Sequence, residues 1–88
     1  MLLKATDINW LGGHRLRVKF SDGSVGEHDF SALVAERGPM VEPLRDPDYF
    51  ARVFLDYGAP TWPNGFDMAP EWLRREMEAA GELSRDAA

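Results

Sequence analysis

Residues 14 to 30 read HRLRVKFSDGSVGEHDF, and the way this stretch folds back on itself decides the architecture. Successive side chains of a strand point to opposite faces, so the alternation over 14 to 20 places Leu16, Val18 and Phe20 on one face. Arg15, Arg17 and Lys19 then form a basic row on the other. Two turns fit the FSDGS that follows. A two-residue Asp22-Gly23 loop would set Val18 against Glu27 and Leu16 against Asp29, mixing apolar and acidic side chains. A three-residue loop, Ser21-Asp22-Gly23 with glycine in the left-handed position, sets Arg17 opposite Glu27 and Arg15 opposite Asp29, with Leu16 beside His28 and His14 beside Phe30. Opposite charges across a strand pair contribute about 0.2–1 kcal/mol each. The three-residue loop is therefore the expected one, and it leaves a sheet face of paired charges.

Upstream, positions 3 to 10 read as a first strand, closed by a Gly12-Gly13 turn. Downstream, Ser31 is the expected N-cap of a short helix through Arg37, stopped by Gly38-Pro39. In RDPDYFARVF, Asp46 caps a second helix with Pro47 at its first position, where a missing N–H costs nothing. Tyr49, Phe50 and Val53 would be its apolar stripe, with Asp48 reaching Arg52 one turn on. FLDYG and APTW are short apolar runs bounded by Gly and Pro, which suggest a strand returning to the sheet. The last helix, about 69 to 80, carries Ala69, Leu73, Met77 and Ala80 on one face with Trp72 beside it. One domain over 1–80 and a frayed tail over 81–88 are expected. The fold class is α+β, a small antiparallel sheet built from an N-terminal meander and a returning C-terminal strand or hairpin, with two to three helices packed on it.

A chain of 88 residues buries only about 60–65% of its unfolded surface, so its core must be dense in large side chains. Three Trp, five Phe, two Tyr and four Met supply them. With no Cys there is neither a disulfide nor a thiolate zinc site. No apolar run approaches a membrane span and no signal peptide is evident, so a cytoplasmic protein is expected. The net charge of -5 argues against a general nucleic-acid binder, which needs clustered cations. The first twenty residues, however, carry Lys4, Arg15, Arg17 and Lys19 against Asp7 alone.

Candidate chemistry is sparse. His14 and His28 approach each other in this register, but no third ligand joins them, and neither a metal nor another cofactor is expected. No serine or threonine lies in an activating motif, and no glycine loop suits a phosphate. The densest stretch is TWPNGFDMAPEWL, residues 61 to 73. Pro63-Asn64-Gly65 reads as a turn, Trp62 and Phe66 as a pair across it, and Asp67 as the cap of the next helix. Trp62, Asn64 and Asp67 are also the candidate partner-binding residues, because exposed aromatics at a turn anchor interfaces.

RLRVKFSDGSVGEHDFSAL, LRDPDYFARVFLD and TWPNGFDMAPEWL, in that order and spacing, resemble the bacterial family called domain of unknown function 2442. The resemblance spans about residues 3 to 75 and is most specific in Trp-Pro-Asn-Gly-x-Asp-hydrophobic-Ala-Pro. It implies a small α+β fold without an established activity. Some relatives are joined to a helix-turn-helix domain or encoded beside another small protein, in arrangements that look like toxin and antitoxin pairs. The present 88 residues contain no helix-turn-helix domain. The expected function is thus a non-enzymatic protein-binding module, the antitoxin-like or regulatory partner of a small basic protein or of a second copy of itself. The alternative is a nucleic-acid-binding regulator using Arg15, Arg17 and Lys19, and a third reading is an enzyme with a site near Trp62 and Asp67.

Overall fold

Strands β1 (Ala5–Trp10), β2 (Arg15–Phe20) and β3 (Ser24–Asp29) form an antiparallel meander in the computed structural model, which describes residues 2–85. Across β2 and β3, Arg15 pairs with Asp29, Leu16 with His28 and Arg17 with Glu27, as the three-residue loop requires. Gly23 sits at φ +88, a conformation that costs an L side chain strain. The Asp22 carboxylate fixes the turn by accepting the Ser24 N–H at 2.9 Å. Between β1 and β2 the register slips at Thr6, a bulge that turns Asp7 and Asn9 outward beside Lys19 and Arg17.

The inner face of β2 is fully covered. Leu16, Val18 and Phe20 pack with Phe30, Phe50, Trp62, Leu73 and Met77 in one core. A run of aromatic rings threads it, with centroids 5.7 Å apart for Phe30 and Phe50 and 5.4 Å for Phe50 and Trp62. Each such buried side chain contributes about 1.5–3 kcal/mol relative to exposure. This density is how a short chain meets its conformational entropy.

The helices are shorter than their sequence patterns. Helix α1 spans Ser31–Val34, and its N-cap is Phe30, not Ser31. The capping carboxylate comes from Asp29, which accepts both the Ser31 N–H and its hydroxyl. A 3-10 turn, Glu42–Arg45, leads to α2 at Pro47–Phe50. Here Asp46 caps as expected, accepting the Asp48 N–H at 3.0 Å. The helix stops at Phe50, yet Tyr49, Phe50 and Val53 all pack on the core as the stripe requires; Arg52 lies over the Tyr49 ring at 5.7 Å instead of pairing with Asp48.

FLDYG and APTW become a hairpin of their own, β4 (Phe54–Asp56) and β5 (Ala59–Thr61), and do not extend the main sheet. The hairpin leans on the edge of β1, where the Ala5 N–H donates to the Gly58 carbonyl at 2.9 Å. Its tip holds Tyr57 at φ +49, a conformation uncommon outside glycine.

The strand that does return is the segment expected to fray. Helix α3 (Pro70–Ala79) buries Leu73 and Met77 and closes on Gly81, at φ +72. The Gly81 N–H bonds the Glu78 carbonyl and the Glu82 N–H the Met77 carbonyl, the paired bonds of a Schellman motif. The chain is thereby redirected along β3, where β6 (Ser84–Arg85) pairs with Ser24 and Val25. Sheet order is β1-β2-β3-β6. The expected fraying of 86 to 88 lies outside the described residues.

Candidate functional site

The three candidate residues of TWPNGFDMAPEWL differ in their surroundings: Trp62 is buried, Asn64 half-buried and Asp67 exposed. Trp62 has no exposed surface, and its indole N–H donates to the Phe50 carbonyl at 2.9 Å, so it is a core residue and not an exposed anchor. Asn64 uses both ends of its amide internally, donating to the Met40 carbonyl and accepting the Phe66 N–H. The Trp62 and Phe66 rings pair across the turn as expected, 5.8 Å apart. Asp67 is exposed and its backbone bridges to Thr61, but it caps nothing. The N-cap of α3 is Ala69, with no side-chain bond, because two residues separate Asp67 from the first helical turn.

The two histidines pack on neighbouring rings, His14 on Phe50 and His28 on Phe30, but make separate polar contacts. His14 Nε2 lies 3.0 Å from the carbonyls of both Leu44 and Arg45, which only a protonated Nε2 can serve. His28 Nδ1 meets Glu82 at 2.7 Å and so ties the returning tail to β3. Among the described residues no three His, Asp or Glu side chains converge on a metal position.

The solvent face of the sheet has a basic centre and acidic flanks. Arg15, Arg17 and Lys19 project from β2, while Glu27 and Asp29 lie on β3 and Asp7 on β1. Arg15 reaches Glu27 at 3.3 Å, diagonal to its directly opposite neighbour Asp29. Asp29 is held below the usual carboxylate range by the Ser31 hydroxyl and N–H it accepts. Arg17 forms no ion pair with a described residue and has Asn9 and Glu27 as its cross-strand neighbours. The charge pairing expected of this face is present in outline, with Arg17 its most available cation.

Two shallow depressions flank α3. One, of about 280 Å³, lies over the pairing of β3 with β6, beside Ser24 and Ser84, and includes Arg74, Glu78 and Arg85. Its charges are mutually satisfied: Arg74 reaches Asp22 at 2.7 Å and Glu78 at 3.0 Å. The Asp22 carboxyl is lowered to about 2, chiefly by the Ser24 hydroxyl and N–H and then by Arg74. The other, of about 130 Å³, lies between α1 and α3 at the end of β3, with Leu33, Glu36, Trp72 and Glu76 around it. Sequence reasoning places Trp72 only beside the buried helix face; the spacing of Trp72 and Glu76, four apart, is the signal that could have found the groove.

No helix among the described residues is long and apolar enough to cross a membrane. A comparison with curated proteins finds no match. Among solved structures, the chain is similar to a Nitrosomonas europaea protein provisionally named as DNA-binding, with a TM-score of 0.72 and 30% sequence identity. The similarity covers 96% of this chain and 55% of that one, so the chain spans about half the length of its structural relative. Residues 5–79 match the family described as proteins of unknown function, DUF2442, and the chain belongs to that family.

Proposed function

We propose that this domain is a non-catalytic binding module of a DNA-associated regulator, with the basic row of β2 as its nucleic-acid surface. The observation that carries the reading is the likeness, over nearly the whole chain, to a protein provisionally named as DNA-binding. A strand pair fits a major groove, and Arg15, Arg17 and Lys19 are the cations that one strand brings to one face. The acidic flanks set the strength. Arg15 must exchange Glu27 for a phosphate, and Asp7 and Asp29 oppose the approach, so contact is confined to about two or three phosphates. The log of the binding constant should then fall with the log of salt concentration with a slope of about -2 to -3. Fluorescence anisotropy with a short labelled duplex, at low salt and at physiological ionic strength, measures it. R15Q/R17Q/K19Q should abolish binding with the melting temperature retained. No binding at the lowest salt overturns the reading.

A second reading is favoured by the charge of the rest of the chain. Residues 21 to 88 hold fourteen acidic and six basic side chains, a field that speeds encounter with a basic protein. In this reading the domain is the regulatory, antitoxin-like member of a two-protein pair. Tagged protein recovered from its own host should bring down one small basic partner in stoichiometric amount; recovery alone counts against it.

A further inference from the structure

We propose that the groove between α1 and α3 receives a single arginine side chain from a partner protein. The groove is too small for a cofactor, since ligand pockets run to about 300–1,000 Å³ and this one holds about 130 Å³. One protruding side chain is what it admits. Its apolar floor is Phe30 and Leu33, and Trp72 stands at its side with 36% of its surface exposed. The other two tryptophans give their indole N–H groups to carbonyls, Trp10 to Gly13 and Trp62 to Phe50. Among the described residues Trp72 has no such acceptor, and no cation stacks on its ring. A guanidinium over an indole face is attracted by the ring quadrupole, the more strongly the further it is desolvated.

The charge around the groove points the same way. Glu36 and Glu76 border it, and no lysine or arginine does; His28 also lines it, its Nδ1 already held by Glu82, and the Asp29 carboxylate is taken by Ser31. Neither the Glu36 nor the Glu76 carboxylate is engaged in an ion pair with a described residue. The depression on the other flank of α3 differs in this respect, because Arg74 and Arg85 already occupy it. A planar guanidinium can stack on Trp72 while its several donors reach carboxylates on two helical segments, which a lysine ammonium does less well. The Glu36 and Glu76 carboxylates repel phosphate, so the occupant is a protein side chain and not a nucleic acid.

This inference rests on the protein-partner reading and is independent of the sheet face. The test uses the full chain and N-acetylarginine methylamide as the probe, titrated while protein resonances are followed by NMR. Saturable shifts of the Trp72 indole N–H and the Leu33 methyls are expected, and the uncharged citrulline analogue should produce none. W72A, and separately E36Q/E76Q, which alters exposed carboxylates only, should each weaken the probe by about tenfold. Equal shifts with citrulline, or unchanged affinity in the folded E36Q/E76Q protein, would overturn the proposal. So would displacement of the same signals by duplex DNA. If a basic partner co-purifies with E36Q/E76Q as well as with the unaltered chain, the groove is excluded while the partner reading stands.

Discussion

Replacing Asp22 by Asn isolates the charge in a turn that sets the register of the sheet. Asparagine can still accept the Ser24 N–H, so the turn keeps its geometry, but the charge-assisted bond from Arg74 Nε at 2.7 Å is lost. The Asp22 carboxyl falls from 3.8 to about 2 in the folded chain. That drop corresponds to at most about 2.4 kcal/mol, at about 1.36 kcal/mol for each tenfold change in acidity. The Asp22 side chain is 36% exposed, and solvent screening reduces the figure to about 1 kcal/mol. The sign comes from the direction: a depressed carboxyl stabilises the fold above its unfolded value near 3.8, and the contribution is lost as pH falls through about 2. D22N should therefore cost about 1 kcal/mol near neutral pH, or about 4–8 °C in Tm for a domain of this size. Near pH 2 the two proteins should converge. Urea titrations across that range, followed by the fluorescence of buried Trp62, read both quantities. A constant offset between the proteins from neutral to acid pH would refute the reasoning, because it would trace the loss to turn geometry and not to charge.

The hairpin tip should be improvable: Tyr57 is 92% exposed and holds a positive φ followed by Gly58, the conformation that Asn-Gly favours, so Y57N should raise stability by about 0.5–1 kcal/mol in thermal melts. At Gly26 the tolerance is small, since a Cβ there would collide with the Glu82 carbonyl oxygen; G26A should cost about 1–3 kcal/mol, and an unchanged urea midpoint would show that the α3 terminus gives way easily. N64A removes two side-chain bonds and should cost about 1 kcal/mol or more, whereas D67A at an exposed, non-capping position should stay within about 0.5 kcal/mol of the parent. A loss for D67A as large as that for N64A would mean that Asp67 bears on α3 after all.

The central hairpin is legible because three signals agree there: alternation on β2, a glycine at the third turn position, and opposite charges only one register brings together. Asp46 and Pro47 are legible for the same local reason, since cap and first helical residue are adjacent in sequence. Capping at α1 misleads: the N-cap is Phe30, one residue before Ser31, and the carboxylate comes from Asp29. Ser31 and Asp29 are both competent caps, and the hydrogen bonds that decide between them form only once β3 has ended at Asp29. Asp67 misleads because Pro70 marks the helix start but does not say which preceding residue faces its free N–H groups. Gly81 is a legible stop. The course of the chain beyond a Schellman turn, however, depends on whether an open strand edge lies ahead, and the side-chain-free Gly26 beneath Glu82 is remote in sequence. Of the α1–α3 groove only the Trp72–Glu76 side is legible, from their spacing of four; Glu36 lies far off in the chain, and only the fold brings it to the same cleft.

The return of β6 bears on where this domain can be cut. The family match stops at residue 79, just before the turn that carries the chain to Ser84 and Arg85. A protein truncated there would lose the Glu82 contact with His28 and would bare the Ser24–Val25 portion of β3 to solvent. Unpaired strand edges template association between molecules. Recombinant versions ending at the family boundary are therefore expected to aggregate on concentration, and those carried through Arg85 to stay dispersed.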